Sequence, residues 1–255
     1  MRVVKIGGRA QADPALAGKI REAWEATPNA LCIVHGGGDE ITAMQNALGR
    51  KAEFVGGRRV TCRADLELLR MVLSGVVNKR LVNSLVAKGV KAVGISGEDS
   101  ALIGAEIIDS AALGFAGLPV RIEPGVIRTL MAAGFLPVVS PVAYDLSSGT
   151  GGTLNVNGDD AAAAIAVSLK AQELLFIADV EGVEGESGMI LSSIHADSVR
   201  DLIAQGVAAG GMAAKLESAR AALAAGVERV RISDLAGLAD AERGTLITQA
   251  EGVAS

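Results

Sequence analysis

The chain has 255 residues, half of them apolar, and is therefore long enough to bury a substantial core in one compact domain of two lobes. A net charge of −5 and an aromatic content of 2% argue against the basic faces and stacking surfaces that bind nucleic acids. No apolar stretch approaches the roughly 20 residues that cross a bilayer, and Met1 leads into an apolar run without a secretory signal, so we expect a cytoplasmic protein with no membrane partner.

Short β-branched runs alternate with Ala- and Leu-rich segments of helical period, which predicts an α/β fold with a mainly parallel sheet covered on both faces. The predicted strands are Val3–Ile6, Ala30–Val34, Ala92–Ile95, Leu136–Val139, Glu173–Ala178 and Arg229–Ile232. The predicted helices are Pro14–Glu25, Glu40–Leu48, Ala64–Val77, Lys79–Lys88, Gly125–Ala133, Asp160–Leu169, Ser198–Gln205 and Met212–Ala225. We place the division between the lobes near Lys170.

Three shorter segments have strand character in loop-rich surroundings: Val60–Thr61, Ala105–Ser110 and Arg121–Ile122. They predict a hairpin or a lid. The two cysteines, Cys32 and Cys62, have neither metal-ligand spacing nor a disulfide framework, which predicts free thiols.

Glycine-rich turns follow three of the predicted strands, with the sequences KIGG, HGGGDE and GISGEDS. Ligands of open α/β sheets bind at the carboxyl ends of the strands, where helix N-termini present unpaired amides. The triple glycine after His35 lets backbone amides approach an oxyanion without intervening side chains. We therefore predict an anion site at this edge, with His35 as a hydrogen-bonded turn or core residue rather than a catalyst.

Several common templates are missing from the sequence. It contains no P-loop motif, no G-x-G-x-x-G after the first strand, no kinase catalytic loop of the protein-kinase type and no G-x-S-x-G elbow. No His, Cys or carboxylate cluster has zinc spacing, so we predict no protein-bound metal.

Two further motifs carry charge at predicted helix starts. The stretch NVNGDD precedes an Ala-rich helix, and Asp159 within it is a candidate cap. Its two amides suit ligand recognition and its carboxylates suit the organisation of cations. Lys215, in GGMAAK, lies in the first turns of the last helix, where the helix dipole disfavours a cation by about 0.3 to 1 kcal/mol unless solvent or an anion compensates.

The motifs VVKIGG, VHGGG, GGRRVT, NVNGDDAA, FIADVEGV, GGMAAK and GTLI occur in this order from Val3 to Ile247. Together they resemble the amino acid kinase family, most of all its members that act on N-acetylglutamate. The resemblance implies an open three-layer αβα sandwich of the carbamate kinase type. It also implies an acyl-substrate lobe, residues 1–170, that dimerises, and a nucleotide lobe, residues 171–255.

The implied reaction is transfer of a phosphoryl group from ATP, with Mg²⁺, to the γ-carboxylate of N-acetyl-L-glutamate in arginine biosynthesis. By this resemblance Lys5 and Lys215 flank the transferring group, and Asp159 holds both lysines. Substrate contacts are implied for Gly37, Gly38, Arg59 and Asn155. Phosphate or nucleotide contacts are implied for Gly8, Asp179, Val180, Gly182, Gly210 and Gly211.

The sequence departs from the family pattern in three places. Ala213-Ala214 replaces the usual Ile-Pro before the lysine, which we expect to alter packing while Lys215 keeps its role. Gly158 stands where alanine is usual, a modest loss of helix propensity. The chain starts at its first strand, without the N-terminal helix of arginine-regulated hexamers, so we expect an arginine-insensitive homodimer.

Three other interpretations remain open. A kinase for carrier-protein-linked aminoadipate or glutamate would carry a shorter glycine run and a different basic loop. A non-catalytic amino-acid sensor on the same fold would have no reason to keep Lys5, Asp159 and Lys215 together. A nicotinamide-dependent enzyme would need a glycine fingerprint that the sequence lacks.

Overall fold

The structure is a computed structural model that describes residues 1–185 and 187–249. Glu186 and residues 250–255, which the predicted nucleotide lobe includes, lie outside the described residues. None of the helices in the described ranges combines the length and apolar character needed to span a bilayer.

The strands alternate with helices along the chain, as the hydrophobic pattern predicts. The strands are β1 Arg2–Ile6, β2 Leu31–His35, β3 Phe54–Val55, β4 Arg58–Arg59, β5 Ala92–Gly97, β6 Ile103–Ile107, β7 Ala116–Ile122, β8 Leu136–Asp145, β9 Thr153–Val156, β10 Glu173–Ile177, β11 Ser193–His195, β12 Arg229–Ser233 and β13 Thr245–Thr248. The helices are α1 Leu16–Ala26, α2 Gly38–Ala47, α3 Arg63–Arg70, α4 Asn78–Val86, α5 Gly125–Ala132, α6 Gly158–Leu169, α7 Val199–Ala204 and α8 Gly210–Ala224.

One large sheet contains every strand except β3 and β4, which form a separate hairpin. Its central strand β1 pairs in parallel with β10 on one side and β2 on the other, in a register that aligns Lys5 with Phe176 and Val34. The carboxyl ends of these three strands therefore lie at one edge of the sheet. The same sheet runs through both predicted lobes, because β1 and β10 belong to different ones.

Helices cover both faces of the sheet, which confirms the predicted layers. Side chains alternate between faces along a strand, so Val3 packs in one core cluster, with residues of α6 and α8, while Val4 and Ile6 pack in another, with residues of α1 and α4. Complete burial of such side chains stabilises the fold by about 1.5 to 3 kcal/mol each. Lys5 shares the face of Val3 and is therefore directed toward α6.

The structure corrects several predicted elements. The predicted break between the third and fourth helices is wrong, because a π-helical segment, Met71–Val77, joins α3 to α4 without interruption. Sequence reasoning broke the helix at a polar residue, Asn78, whose buried side chain instead donates a hydrogen bond to the carbonyl of Val138. Strands β3, β9, β11 and β13 were not predicted; all four are only two to four residues long.

The short segments predicted as a hairpin or lid have two different outcomes. Residues near 105 and 121 form β6 and β7, an antiparallel pair within the main sheet rather than a lid. The predicted strand Val60–Thr61 is displaced, because β4 pairs at Arg58–Arg59 and Thr61 makes only an isolated bridge to Gly114. Both cysteines are free, as predicted.

Candidate active site

A cavity of about 200 Å³ opens at the carboxyl ends of β1 and β2. Glycines from two of the predicted turns form part of its wall, together with charged and amide side chains from β1, β4, β9 and α6 and several apolar residues. Its lining consists of Lys5, Gly8, Gly36, Gly37, Gly38, Ile41, Phe54, Gly57, Arg58, Arg59, Leu73, Ala116, Gly117, Pro141, Asn155, Val156, Asn157, Gly158 and Asp159.

Two lysines converge on Asp159 at the end of this cavity. The amine of Lys5 lies 2.7 Å from Oδ1 of Asp159, and the amine of Lys215 lies 3.1 Å from Oδ2. Each of these three residues is more than nine-tenths buried. Lys215 does not line the cavity itself and reaches it through the carboxylate. The structure thus brings together three residues that the sequence places far apart.

The start of α6 fixes the carboxylate of Asp159. The cap of this helix is Asn157, whose side chain accepts a hydrogen bond from the amide of Asp159 at 2.7 Å, so the prediction of Asp159 as the cap is wrong. Asp159 is in the first turn instead, where the helix dipole favours a negative charge. A Cβ at Gly158 would lie 3.3 Å from Cε of Lys5, which explains a small residue beside the lysine.

Burial and charge act in opposite directions on this cluster. Burial would raise the pKa of Asp159, but the positive charges of Lys215 and Lys5 outweigh it and hold the pKa at about 2. Burial lowers the pKa of Lys215 to about 8, although Asp159 acts to raise it. The amine of Lys215 also lies 5.2 Å from the ring centroid of Phe176, which favours its charged form. Near neutral pH the cluster carries a net positive charge.

The glycines bring two turns close to each other. A Cβ at Gly8 would lie 3.9 Å from the amide nitrogen of Gly38, at the first residue of α2. A Cβ at Gly37 would lie 2.7 Å from Cδ2 of Leu73, so a side chain there would have to push aside Leu73 of the π-helical segment Met71–Val77. The exposed amides at this helix start suit an anion.

Arg59 is buried against α2 rather than free in solvent. Its guanidinium donates hydrogen bonds to Oε1 of Gln45 at 2.5 Å, to Oγ1 of Thr42 at 2.9 Å and to the carbonyl of Gly38 at 2.9 Å. The Phe54 ring stacks on it at 4.7 Å. Burial lowers the pKa of Arg59, with Asp65 acting against that shift. Of the five guanidinium donors, three are used, and the Nε–H and one Nη1–H remain.

Asn155 lines the cavity from β9. Its amide donates to Oγ1 of Thr61 at 2.9 Å, and the Thr61 hydroxyl in turn donates to the carbonyl of Arg59. The two predicted substrate residues are therefore connected through one threonine. Sequence reasoning did not assign Thr61, Gln45 or Thr42. The only sequence signal that these residues gave was that their side chains are polar.

His35 has the structural role that the sequence indicates. It is fully buried, its Nδ1 lies 2.8 Å from the carbonyl of Gly36, and its Nε2 lies 3.0 Å from the amide nitrogen of Asn78. Because a carbonyl can only accept and the amide can donate, Nδ1 carries the proton. Burial lowers the pKa of His35 to about 4, so the ring is neutral at pH 7. The missed residue Asn78 thus holds the turn that precedes the glycines.

The residues predicted for phosphate or nucleotide binding, other than Gly8, lie outside the cavity. Asp179 follows β10 and pairs with Arg9 at 2.8 Å. Val180 is exposed, and Gly182 packs so closely that a Cβ there would lie 2.6 Å from Oγ1 of Thr245. Gly210 and Gly211 are exposed at the start of α8. Gly210 and Gly211 are on the same helix as Lys215, and the charge of Asp179 acts on Lys215. These residues are therefore near the lysine cluster, although they do not line the cavity.

Glu98 and Asp99, whose role the sequence left open, are held by contacts within the chain. Glu98 accepts hydrogen bonds from Thr153 at 2.6 Å and from Arg70 at 3.0 Å. Asp99 accepts from the amide and hydroxyl of Ser96. They stabilise the third glycine turn.

A mainly parallel sheet with a cationic, glycine-lined pocket at its carboxyl edge defines a phosphoryl-binding α/β protein. The chain belongs to the amino acid kinase family: the model of that family matches residues 1–234. A protein named acetylglutamate kinase from Cereibacter sphaeroides is 45% identical over 236 residues, which cover 91% of this chain and 79% of that protein.

Solved structures agree with this assignment. The protein smu.665 from Streptococcus mutans matches with a TM-score of 0.87 and 31% identity, over 97% of this chain and 98% of that one. A carbamate kinase from Giardia matches with a TM-score of 0.72 and 18% identity over 97% and 98% of the two chains, which supports the fold alone. The predicted family and fold are confirmed.

Proposed function

We propose that the protein transfers the γ-phosphoryl group of ATP to the γ-carboxylate of N-acetyl-L-glutamate, a step of arginine biosynthesis. The observation that carries the proposal is the convergence of two ammonium groups on Asp159 at the end of a glycine-lined cavity. The relative from Cereibacter sphaeroides that bears the name of this activity supports the choice of acceptor.

The reaction needs in-line positioning and charge neutralisation more than covalent participation by the protein. A carboxylate oxygen of the acceptor attacks the γ-phosphorus, the bond to the β,γ-bridging oxygen breaks, and ADP leaves with that electron pair. The acceptor is already ionised near pH 7, so no general base is required. This agrees with a site whose nearby His35 is neutral and fully hydrogen-bonded.

Lys5 and Lys215 would neutralise the charge that spreads over the equatorial oxygens in the transition state. Asp159 would keep the two amines at fixed positions, which avoids their reorganisation when ATP binds. The backbone amides of Gly8, Gly37 and Gly38 would donate to the transferring group or to the reacting carboxylate. Catalysis then depends on donors that are in place before the substrates arrive.

Arg59 and Asn155 would recognise the other end of the acceptor. Bidentate capture of the α-carboxylate by the Arg59 guanidinium, a geometry that lysine cannot provide, would replace one of the hydrogen bonds from Nη2 to Gly38 or Thr42. The bonds from Arg59 to Gln45, Thr42 and Gly38 fix its plane before the acceptor binds. The amide of Asn155 faces the same cavity.

The nucleotide would lie beside the cavity, along Asp179, Val180 and Gly182 and over the start of α8 at Gly210 and Gly211. The dipole and free amides of that helix start favour phosphate. Mg²⁺ would be held mainly by the phosphates of ATP, where it adds positive charge to the leaving group. We assign acceptor binding to residues 1–170 and nucleotide binding to residues 171–255.

We further propose a cytoplasmic homodimer. Among the described residues, β5 pairs only with β8, so its second edge is open, and the helix beside it exposes Val76 and Val86. A second copy would cover these groups.

The test is ADP release from ATP and Mg²⁺ by the purified protein with N-acetyl-L-glutamate, compared with glutamate, aspartate, carbamate, UMP and a carrier-linked aminoadipate. We expect release with N-acetyl-L-glutamate alone. Release only with the carrier-linked acceptor would contradict the proposed substrate. Binding of nucleotide without ADP release from any acceptor would support a sensor.

A further inference from the structure

A bridge of three side chains connects the β3–β4 hairpin to both α6 and α8. Nη1 of Arg58 lies 2.5 Å from Oδ2 of Asp160, in an ion pair without the angles of a hydrogen bond. The hydroxyl of Ser218 lies within donating distance, 2.7 Å, of Oδ1 of Asp160. We call these contacts the Arg58–Asp160–Ser218 bridge.

The hairpin geometry directs Arg58 toward this bridge. Neighbouring residues of a strand point to opposite faces, so Arg59 faces α2 while Arg58 faces α6 and α8. The turn residues Gly56 and Gly57 both have positive φ, 56° and 76°, which a two-residue turn of type I′ requires. A Cβ at Gly57 would lie 3.5 Å from the carbonyl oxygen of Gly210, so the hairpin tip rests on the first turn of α8.

Each element joined by the bridge also carries a residue of the proposed active site. Arg59 is adjacent to Arg58 on β4, Asp159 is adjacent to Asp160 on α6, and Lys215 lies one helical turn before Ser218 on α8. The side chains of Arg58 and Asp160 are 28% and 16% exposed, so solvent screens this pair less than an ion pair at the surface.

We propose that Arg58 is a positioning residue which, through Asp160 and Ser218, couples acceptor binding at the hairpin to nucleotide binding at α8. The inference rests on the proposed function. The acceptor, held by Arg59, would add to the contacts that restrain the hairpin, and the bridge would pass that added restraint to α8, which carries Lys215 and the helix start that receives phosphate. Each substrate then raises the affinity for the other by the same factor, as linkage requires.

The test measures the Kd of N-acetyl-L-glutamate by isothermal titration calorimetry, with and without saturating Mg²⁺ and AMP-PNP, a non-hydrolysable ATP analogue. In the wild-type protein we expect the analogue to lower the Kd of the acceptor by a factor of at least about five, which is the lower end of the range for allosteric coupling. We call this ratio of Kd values the coupling factor. In Arg58→Leu this factor should fall to about one. The control Arg21→Leu, which removes an exposed ion pair with Glu25, should keep the wild-type factor.

Arg58→Leu leaves Asp160 without its cation, so Ser218→Ala serves as a second and milder variant. It removes one hydroxyl and should reduce the coupling factor while the protein keeps its circular dichroism spectrum. A wild-type coupling factor in both variants, or a factor of one in the wild-type protein, overturns the inference even when ADP release with N-acetyl-L-glutamate is normal. Failure of the wild-type protein to bind or turn over that acceptor overturns the proposed function, and the inference with it.

Discussion

Lys5 on the central strand and Asp159 at the start of α6 form a buried ion pair of 2.7 Å. Asp159 retains Lys215 as a partner when Lys5 is removed, so its charge stays compensated. We therefore expect Lys5→Met to fold and to lower kcat for ADP release by about 100- to 1,000-fold, the cost of losing one donor that stabilises transition-state charge.

The matched control for this variant is Lys19→Met, which removes a partly exposed lysine paired with Glu22 on α1. Its kcat should equal that of the wild-type protein. Circular dichroism and the urea midpoint report whether either variant unfolds. A wild-type kcat in Lys5→Met would assign Lys5 a structural role.

The buried amine of Lys215 predicts an alkaline limit to activity. Burial lowers the pKa of Lys215 to about 8 in the free protein, so its positive charge is lost as the pH rises through that value. Bound ATP adds negative charge and raises the pKa again. We expect kcat/KM for ATP to fall above about pH 8, while kcat falls only at a higher pH.

The measurement is ADP release between pH 6.5 and 10 at saturating and limiting ATP. Lys215→Arg keeps the charge over this range, so any activity that it retains should lack the alkaline decrease in kcat/KM. Identical pH profiles for kcat and kcat/KM would argue that a different group titrates.

The positions of the central strands follow from local sequence signals, whereas the grouping of Lys5, Asp159 and Lys215 was implied by the family resemblance. Val3 to Ile6 is a continuous apolar run apart from Lys5, and in a strand covered on both faces such a lysine needs a buried anion. NVNGDD supplied a carboxylate at a helix start, and the order of the motifs indicated the fold that joins them. The identity of the cap could not be read, because Asn157 and Asp159 are both good caps and only the backbone geometry separates them.

Other features depend on tertiary contacts that no local pattern encodes. The polar residue Asn78 predicts the end of a helix at its position. In the structure its side-chain amide instead donates hydrogen bonds to the Val138 carbonyl and to Nε2 of His35 inside the core. The strand Thr245–Thr248 gains its conformation from pairing with β12 and β11. The burial of Arg59 against Gln45 and Thr42 likewise appears only when the hairpin folds onto α2.

Arg59 should control acceptor affinity more than turnover. Arg59→Lys keeps the charge but loses the planar pair of donors and most of the bonds to Gln45, Thr42 and Gly38. We expect KM for N-acetyl-L-glutamate to rise about 10- to 100-fold, which corresponds to about 1.4 to 2.7 kcal/mol, with a small change in kcat. KM for ATP should change little.

The comparison variant is Arg63→Lys, since Arg63 contacts the Phe115 ring at 5.5 Å and does not line the cavity. Both variants are measured at saturating ATP over a range of acceptor concentrations. Equal KM values in Arg59→Lys and the wild-type protein would remove Arg59 from the acceptor site.

His35 should make the stability of the protein depend on pH below neutrality. Burial lowers its pKa from 6.5 to about 4, so in this window the unfolded chain binds a proton that the folded protein does not. The free energy of unfolding therefore falls as the pH decreases from about 6.5 to about 4, by about 3 kcal/mol for this one group. Urea denaturation at pH 7, 5.5 and 4.5 measures the effect.

The control variant is His35→Gln, whose side chain can still accept a hydrogen bond from Asn78 but does not titrate. We expect this variant to be less stable than the wild-type protein at pH 7 and to lose less stability on acidification. Parallel losses in the variant and the wild-type protein would mean that carboxylates, and not His35, govern acid sensitivity.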